Sequence, residues 1–115
     1  MNLIEKQKIF AKLLIELLGF ALNHGYEITL GEAWRSYETD QLYKKMELGI
    51  PNSLHTLRLA IDLNLFKDGK YLTRTEEYSE IGEFWENLST NNYQCCWGGR
   101  FEDGNHFSIS HNGIK

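Results

Sequence analysis

The chain has 115 residues, 42% of them hydrophobic and 24% charged, with a net charge of −4. That is the composition of one ordinary globular domain with enough apolar material for one core, and a single proline argues against disorder. The mixed, slightly acidic charge leaves no basic footprint for nucleic acid. Leu3–His24 is predicted to be a long amphipathic helix, with Leu3, Phe10, Leu14, Leu17, Leu18 and Ala21 recurring at helical spacing. Gly25 suits the left-handed position that ends it, and His24 sits where a cation favours the helix dipole. Tyr26–Leu30 alternates and reads as a strand. A second helix is expected over Glu38–Leu48, with Ser36 or Thr39 near its cap and Gly49 ending it. Ile50-Pro51-Asn52 is a loop.

Ala60–Phe66 alternates again, with Ile61, Leu63 and Leu65 on one side and Asp62 and Asn64 on the other. Lys67-Asp68-Gly69-Lys70 is a hairpin turn, and Tyr71-Leu72 begins the return strand. A third helix is expected over Glu76–Leu88, with Thr73 or Thr75 near its cap and Tyr78, Ile81, Phe84, Trp85 and Leu88 facing inward. Tyr93–Trp97 is extended, Gly98-Gly99 bends, and Asn105–Ile109 is a last strand. Helices and short hairpin-linked strands in this order imply an α+β domain spanning 1–115, with a small, mostly antiparallel sheet.

The longest apolar run, within Ile9–Leu22, is broken by Lys12 and Glu16 and is too short to span a bilayer, so no membrane anchor is expected. The N-terminal residues do not follow the order of a secretory signal. Cys95 and Cys96 are adjacent, which disfavours a disulfide between them and fits a reducing compartment. They read as small core residues beside Trp97. His111 lies outside every motif and reads as surface.

The chemistry concentrates in two stretches, Ser53–Asp62 (SLHTLRLAID) and Trp97–Ser108 (WGGRFEDGNHFS). His55 and Asp62 would stand about 10 Å apart on one helix and about 23 Å apart on a straight strand. They meet only if the chain turns near Thr56–Leu59. In the second stretch Asp103-Gly104-Asn105 is a turn sequence, after which His106 and Ser108 share one strand face and Phe107 and Ile109 the other. His55, Asp62 and His106 form a three-donor set for zinc with a fourth position left for water, the mark of a catalytic site. Asp103 stands near enough to act as acid and base. Read alone, Asp103 serves equally as a turn residue and Asp62 as a solvated strand position.

At these residues the sequence resembles the M15 zinc peptidases, the group of D-Ala-D-Ala carboxypeptidases and L-alanyl-D-glutamate endopeptidases with the Hedgehog/DD-peptidase fold. The family's Ser-x-His-x-x-Gly-x-Ala-x-Asp motif is matched by Ser53, His55, Ala60 and Asp62. Its acidic-x-x-His-aromatic motif is matched by Asp103, His106 and Phe107, and its aromatic-Arg-Ser segment by Trp34-Arg35-Ser36. The resemblance implies a Zn2+ peptidase acting on the stem peptides of bacterial peptidoglycan. His55, Asp62 and His106 would be ligands and Asp103 the general acid/base. Arg35 would hold a substrate carboxylate or carbonyl, against the plainer reading of an ion pair with Glu32 or Glu38. Ser53 would bond substrate or support the site, against the plainer reading of a loop hydrogen bond.

The resemblance extends to phage endolysins of this group, which collect in the host cytoplasm and reach the wall after a holin opens the membrane. That implies cleavage between L-Ala and D-Glu first, and a D,D-carboxypeptidase or dipeptidase second. A catalytically silent wall-binding module is the third reading, disfavoured because a binder has no need of Asp103. Oligomeric state is not written in the sequence, and a monomer is the default. One position departs from the family: its motif glycine is Arg58 here, which strains the turn if that position needs a positive φ.

Overall fold

Asn2 opens the first helix, α1 (Leu3–Asn23), through a capping box. Its side chain accepts the Glu5 N–H at 2.8 Å, and the Glu5 carboxylate accepts the Asn2 N–H at 3.1 Å. The computed structural model describes residues 1–46 and 53–115. The buried stripe of α1 is Phe10, Leu13, Leu17 and Ala21. Leu13 was not on the expected stripe, while Leu14 and Leu18 lie half-buried at its edge. Gly25 ends the helix at φ 87°. The His24 ring bonds the Phe20 carbonyl at 2.8 Å, one turn back.

The strands are β1 (Glu27–Leu30), β2 (Ala60–Lys67), β3 (Lys70–Tyr71), β4 (Cys95–Trp97) and β5 (His106–Ile109). They form one antiparallel sheet in the order β1-β2-β5-β4, with β3 pairing the far end of β2. β2 is the centre, because β1 takes one edge while β5 and β3 share the other. The β2–β3 turn places Asp68 and Gly69 both at positive φ, as a two-residue hairpin demands.

The second helix, α2, is Tyr37–Lys45, and Ser36 caps it by accepting the Thr39 N–H at 3.0 Å. The expected continuation to Leu48, the Gly49 stop and the loop at 50–52 lie outside the described residues. The expected helix over Glu76–Leu88 starts as a 3-10 turn (Thr75–Tyr78) and becomes α-helical only in α3 (Ser79–Glu86). Neither Thr73 nor Thr75 caps it; the Glu77 carboxylate accepts the Arg74 N–H at 3.0 Å instead. Tyr78 explains the 3-10 start. Its hydroxyl donates to the Leu72 carbonyl at 2.8 Å and accepts the Leu65 N–H at 3.1 Å, so the turn must tighten to bring it against β2.

The core joins α1 and α3 to one face of the sheet. Trp85 is fully buried, edge-on to Phe10 and Phe107, and its indole N–H donates to the Ser108 carbonyl at 2.9 Å. Cys95 and Cys96 are free and buried, and burial pushes the Cys95 thiol up to about 12. His111 is half-buried, with the Lys6 ammonium 3.2 Å from its Nδ1, so the expectation of a plain surface residue is corrected. No helix among the described residues is long and apolar enough to cross a membrane.

Candidate active site

The chain turns between His55 and Asp62 where the spacing argument requires. Ser53 starts a 3-10 turn (Leu54–Leu57) by accepting the His55 N–H at 3.2 Å. Arg58 ends it at φ 57°, ψ 35°, in the left-handed region. Leu54 and Leu59 bury beneath the turn, and the Gln7 amide donates to the Leu57 carbonyl at 2.8 Å. The family glycine position therefore does need positive φ, and arginine occupies it. The left-handed backbone costs a non-glycine residue roughly 1–2 kcal/mol. The Arg58 guanidinium lies 4.9 Å over the Trp34 ring, an offset of about 0.5–1 kcal/mol at an exposed site. Arg58→Gly should therefore shift stability by less than about 1 kcal/mol. Arg58→Val, with neither relief nor stacking, should lose more than that in a urea titration.

Asp62 and His106 are directly opposite each other on β2 and β5. The Asp62 N–H donates to the Glu32 carbonyl at 2.8 Å, and its carbonyl accepts the Gly31 N–H at 2.7 Å. Both backbone groups thus point away from β5, which makes Asp62 and His106 a non-hydrogen-bonded pair, the kind whose side chains approach closest. Gly31 permits this: a Cβ there would stand 2.9 Å from the Asp62 carbonyl oxygen.

His55 and His106 are buried and Asp62 half-buried. Asp62 Oδ1 lies 3.4 Å from His55 Nε2 and 3.6 Å from His106 Nδ1. One donor atom from each residue falls within 4.8 Å of the others. A tetrahedral ion with bonds of about 2.0–2.1 Å spaces its donors by roughly 3.3 Å, so the set fits a divalent ion with little adjustment. His55 Nδ1 and His106 Nε2 are buried without hydrogen-bond partners.

Burial alone would raise the Asp62 carboxyl, but bonds and charge from His106 and His55 outweigh it and hold it at about 2. A carboxyl depressed below its ordinary value of about 4 contributes stability above pH 4 and loses it as pH falls through 2. Metal-free protein should lose on the order of 2 kcal/mol in that window. Urea midpoints at pH 5, 3 and 2 should show the loss, and Asp62→Asn should remove that component.

Asp103 stands at the rim, three residues before His106, on the turn that follows a 3-10 segment (Gly98–Phe101). Its backbone carbonyl accepts the His106 N–H at 3.1 Å, and its own N–H donates to the Gly98 carbonyl at 2.9 Å. Asp103 is exposed to solvent, yet desolvation by the atoms around it at the rim raises its carboxyl above the usual range; His106 and His55 oppose the rise and the charge of Asp62 adds to it. Asp103 also lines a polar cleft of ≈ 230 Å³ walled by Thr73, Arg74 and Thr75 opposite Glu102 and Gly104.

Arg35 is placed beside the trio rather than open to it. Its guanidinium bonds Glu32 at 2.8 Å and Asp40 at 3.0 Å, and its side chain is 10% exposed. The plainer ion pair is thus present with Glu32, and Glu38 has no part in it. The buried Asp40 is the residue that sequence reasoning missed; Glu32 was expected only as an ion-pair partner of Arg35, not beside His55. The only signal was a carboxylate five residues after Arg35, in the first turn of the helix that follows the loop.

An α+β fold that gathers a buried histidine–carboxylate set at the centre of its sheet, with a second carboxylate at the rim, has the layout of a hydrolase site. The chain belongs to the M15 peptidases: the family's profile described as D-alanyl-D-alanine carboxypeptidase matches residues 49–109. The fold is that of the crystal structure of Serratia marcescens L-Ala D-Glu endopeptidase ChiX, with a TM-score of 0.65 and 19% identity over 84% of this chain and 77% of that one. No curated protein matches the sequence.

Proposed function

We propose that this peptidase is zinc-dependent and cleaves the L-Ala–D-Glu bond of peptidoglycan stem peptides. The observation that carries the reading is the convergence of His55, Asp62 and His106 within 4.8 Å, with Asp103 beside His106. The three would hold the ion. Zinc bound there supplies a Lewis acid that polarises a carbonyl and brings a water's pKa toward ~7.

The chain's own residues do the rest. Asp103 takes the proton of the attacking water and passes it to the leaving amine, a task suited to a carboxyl raised above the ordinary range. Asp62 stays ionised throughout. Ser53 sets the backbone of His55 before any contact with substrate. The endolysin-type role goes with this reading; its check is lysis of bacteria when the protein is co-expressed with a holin.

The test is digestion of purified peptidoglycan, with the new termini identified by mass spectrometry. Free L-Ala carboxyl and D-Glu amino ends are expected. The family's description as D-alanyl-D-alanine carboxypeptidase favours one second reading, release of terminal D-Ala, which the same digest would reveal. No cleavage by zinc-loaded protein would overturn both and favour a silent wall-binding module.

A further inference from the structure

Arg35 is occupied by the protein's own carboxylates. Nε and Nη2 engage Glu32 Oε1, and Nη1 engages Asp40 Oδ1, so each nitrogen already has a partner. The guanidinium also lies 4.8 Å over the Tyr43 ring, and the Arg35 N–H donates to the His55 carbonyl at 3.2 Å. Such a half-buried, multiply bonded arginine is a structural anchor.

What it anchors is Glu32. The Glu32 carbonyl is tied to the Asp62 N–H, and its Oε1 lies 3.8 Å from His55 Nδ1. The two nitrogens of His55 therefore face different carboxylates: Nε2 faces Asp62 at 3.4 Å, and Nδ1 faces Glu32. Nδ1 is buried and has no hydrogen-bond partner. An imidazole that offers one nitrogen to a cation must carry its proton on the other, and that proton needs an acceptor.

We propose that Glu32 is a positioning residue for His55: it accepts the Nδ1–H and presents Nε2 to the ion, while Arg35, braced by Asp40, holds Glu32 in place. This rests on His55 being a ligand. At 3.8 Å the two atoms are not hydrogen-bonded, and that distance must shorten when the ion is held.

Zinc affinity by chelator competition tests the idea on wild type, Glu32→Gln, Arg35→Lys and His55→Ala. Glu32→Gln should weaken zinc binding about 10–100-fold, with Arg35→Lys between it and wild type. The wild type itself gives a second readout. In the zinc-loaded protein, 15N NMR should show His55 protonated at Nδ1, with that proton slow to exchange. An affinity unchanged by Glu32→Gln, or a proton found on Nε2, overturns the proposal. If His55→Ala also keeps full affinity, the ligand reading falls with it; if His55→Ala loses zinc and Glu32→Gln does not, only the positioning role falls.

Discussion

Replacing Asp103 by Asn should lower peptidoglycan cleavage by about 10²- to 10⁴-fold while leaving zinc affinity within about two-fold of wild type. The substitution keeps size and shape, so the Gly98 and His106 backbone bonds that hold the turn survive. What is lost is the ability to accept a proton. A carboxylate that serves as the base also sets a limb in the rate–pH profile. A base must begin the cycle deprotonated, so the rate should fall as pH drops through the Asp103 pKa. The limb should vanish from the residual activity of the variant. Turnover by Asp103→Asn equal to wild type would remove Asp103 from the chemistry.

Trp97→Ala should destabilise the protein by about 3–5 kcal/mol, a large share of a domain's usual 5–15. The Trp97 ring is 5% exposed and is clamped between two glycines. A Cβ on Gly82 or Gly99 would come within 2.1 Å of it, so α3 and the Gly98–Phe101 turn close on the ring directly. Its indole N–H donates to the Gly104 carbonyl at 2.7 Å, tethering the turn that carries Asp103. Trp97→Phe separates the two roles. It keeps most of the packing but drops the tether, so catalysis should suffer more than the urea midpoint does. Equal loss in both would make the tether irrelevant to the site.

The three-donor set was legible because the family motifs single out its residues and strand geometry agrees with them. Period two puts Asp62 opposite to Ile61 and Leu63, and His106 opposite to Phe107. Distance arithmetic then forces a turn between His55 and Asp62, and Arg58 supplies it. The Arg35–Glu32 pair was among the readings of the sequence, but Asp40 as its brace and the approach of Glu32 to His55 were not legible, since both depend on how a loop folds back on His55. The 3-10 start before α3 was hidden for a similar reason. A Tyr78 hydroxyl shared by Leu65 and Leu72 leaves no periodic trace in the sequence. The buried stripe of α1 shifted to include Leu13 because the partners across the core, not the helix alone, choose among neighbouring leucines.

The first helix gives the molecule a boundary that similarity alone would misplace. The family match begins at residue 49, yet Phe10, Leu13, Leu17 and Ala21 of α1 belong to the same core as Leu59, Ile61, Trp85 and Phe107. Gln7 fastens the Leu57 carbonyl, and Lys6 the Ser110 carbonyl at 3.1 Å, one beside each histidine motif. The recognisable stretch is thus not an autonomous one. Trimmed to the matched residues, it would bare the apolar floor of β2 and β5 and leave the central strand without β1. Helix α1 is the wall against which both halves of the site are built, and a minimal folded fragment has to keep it.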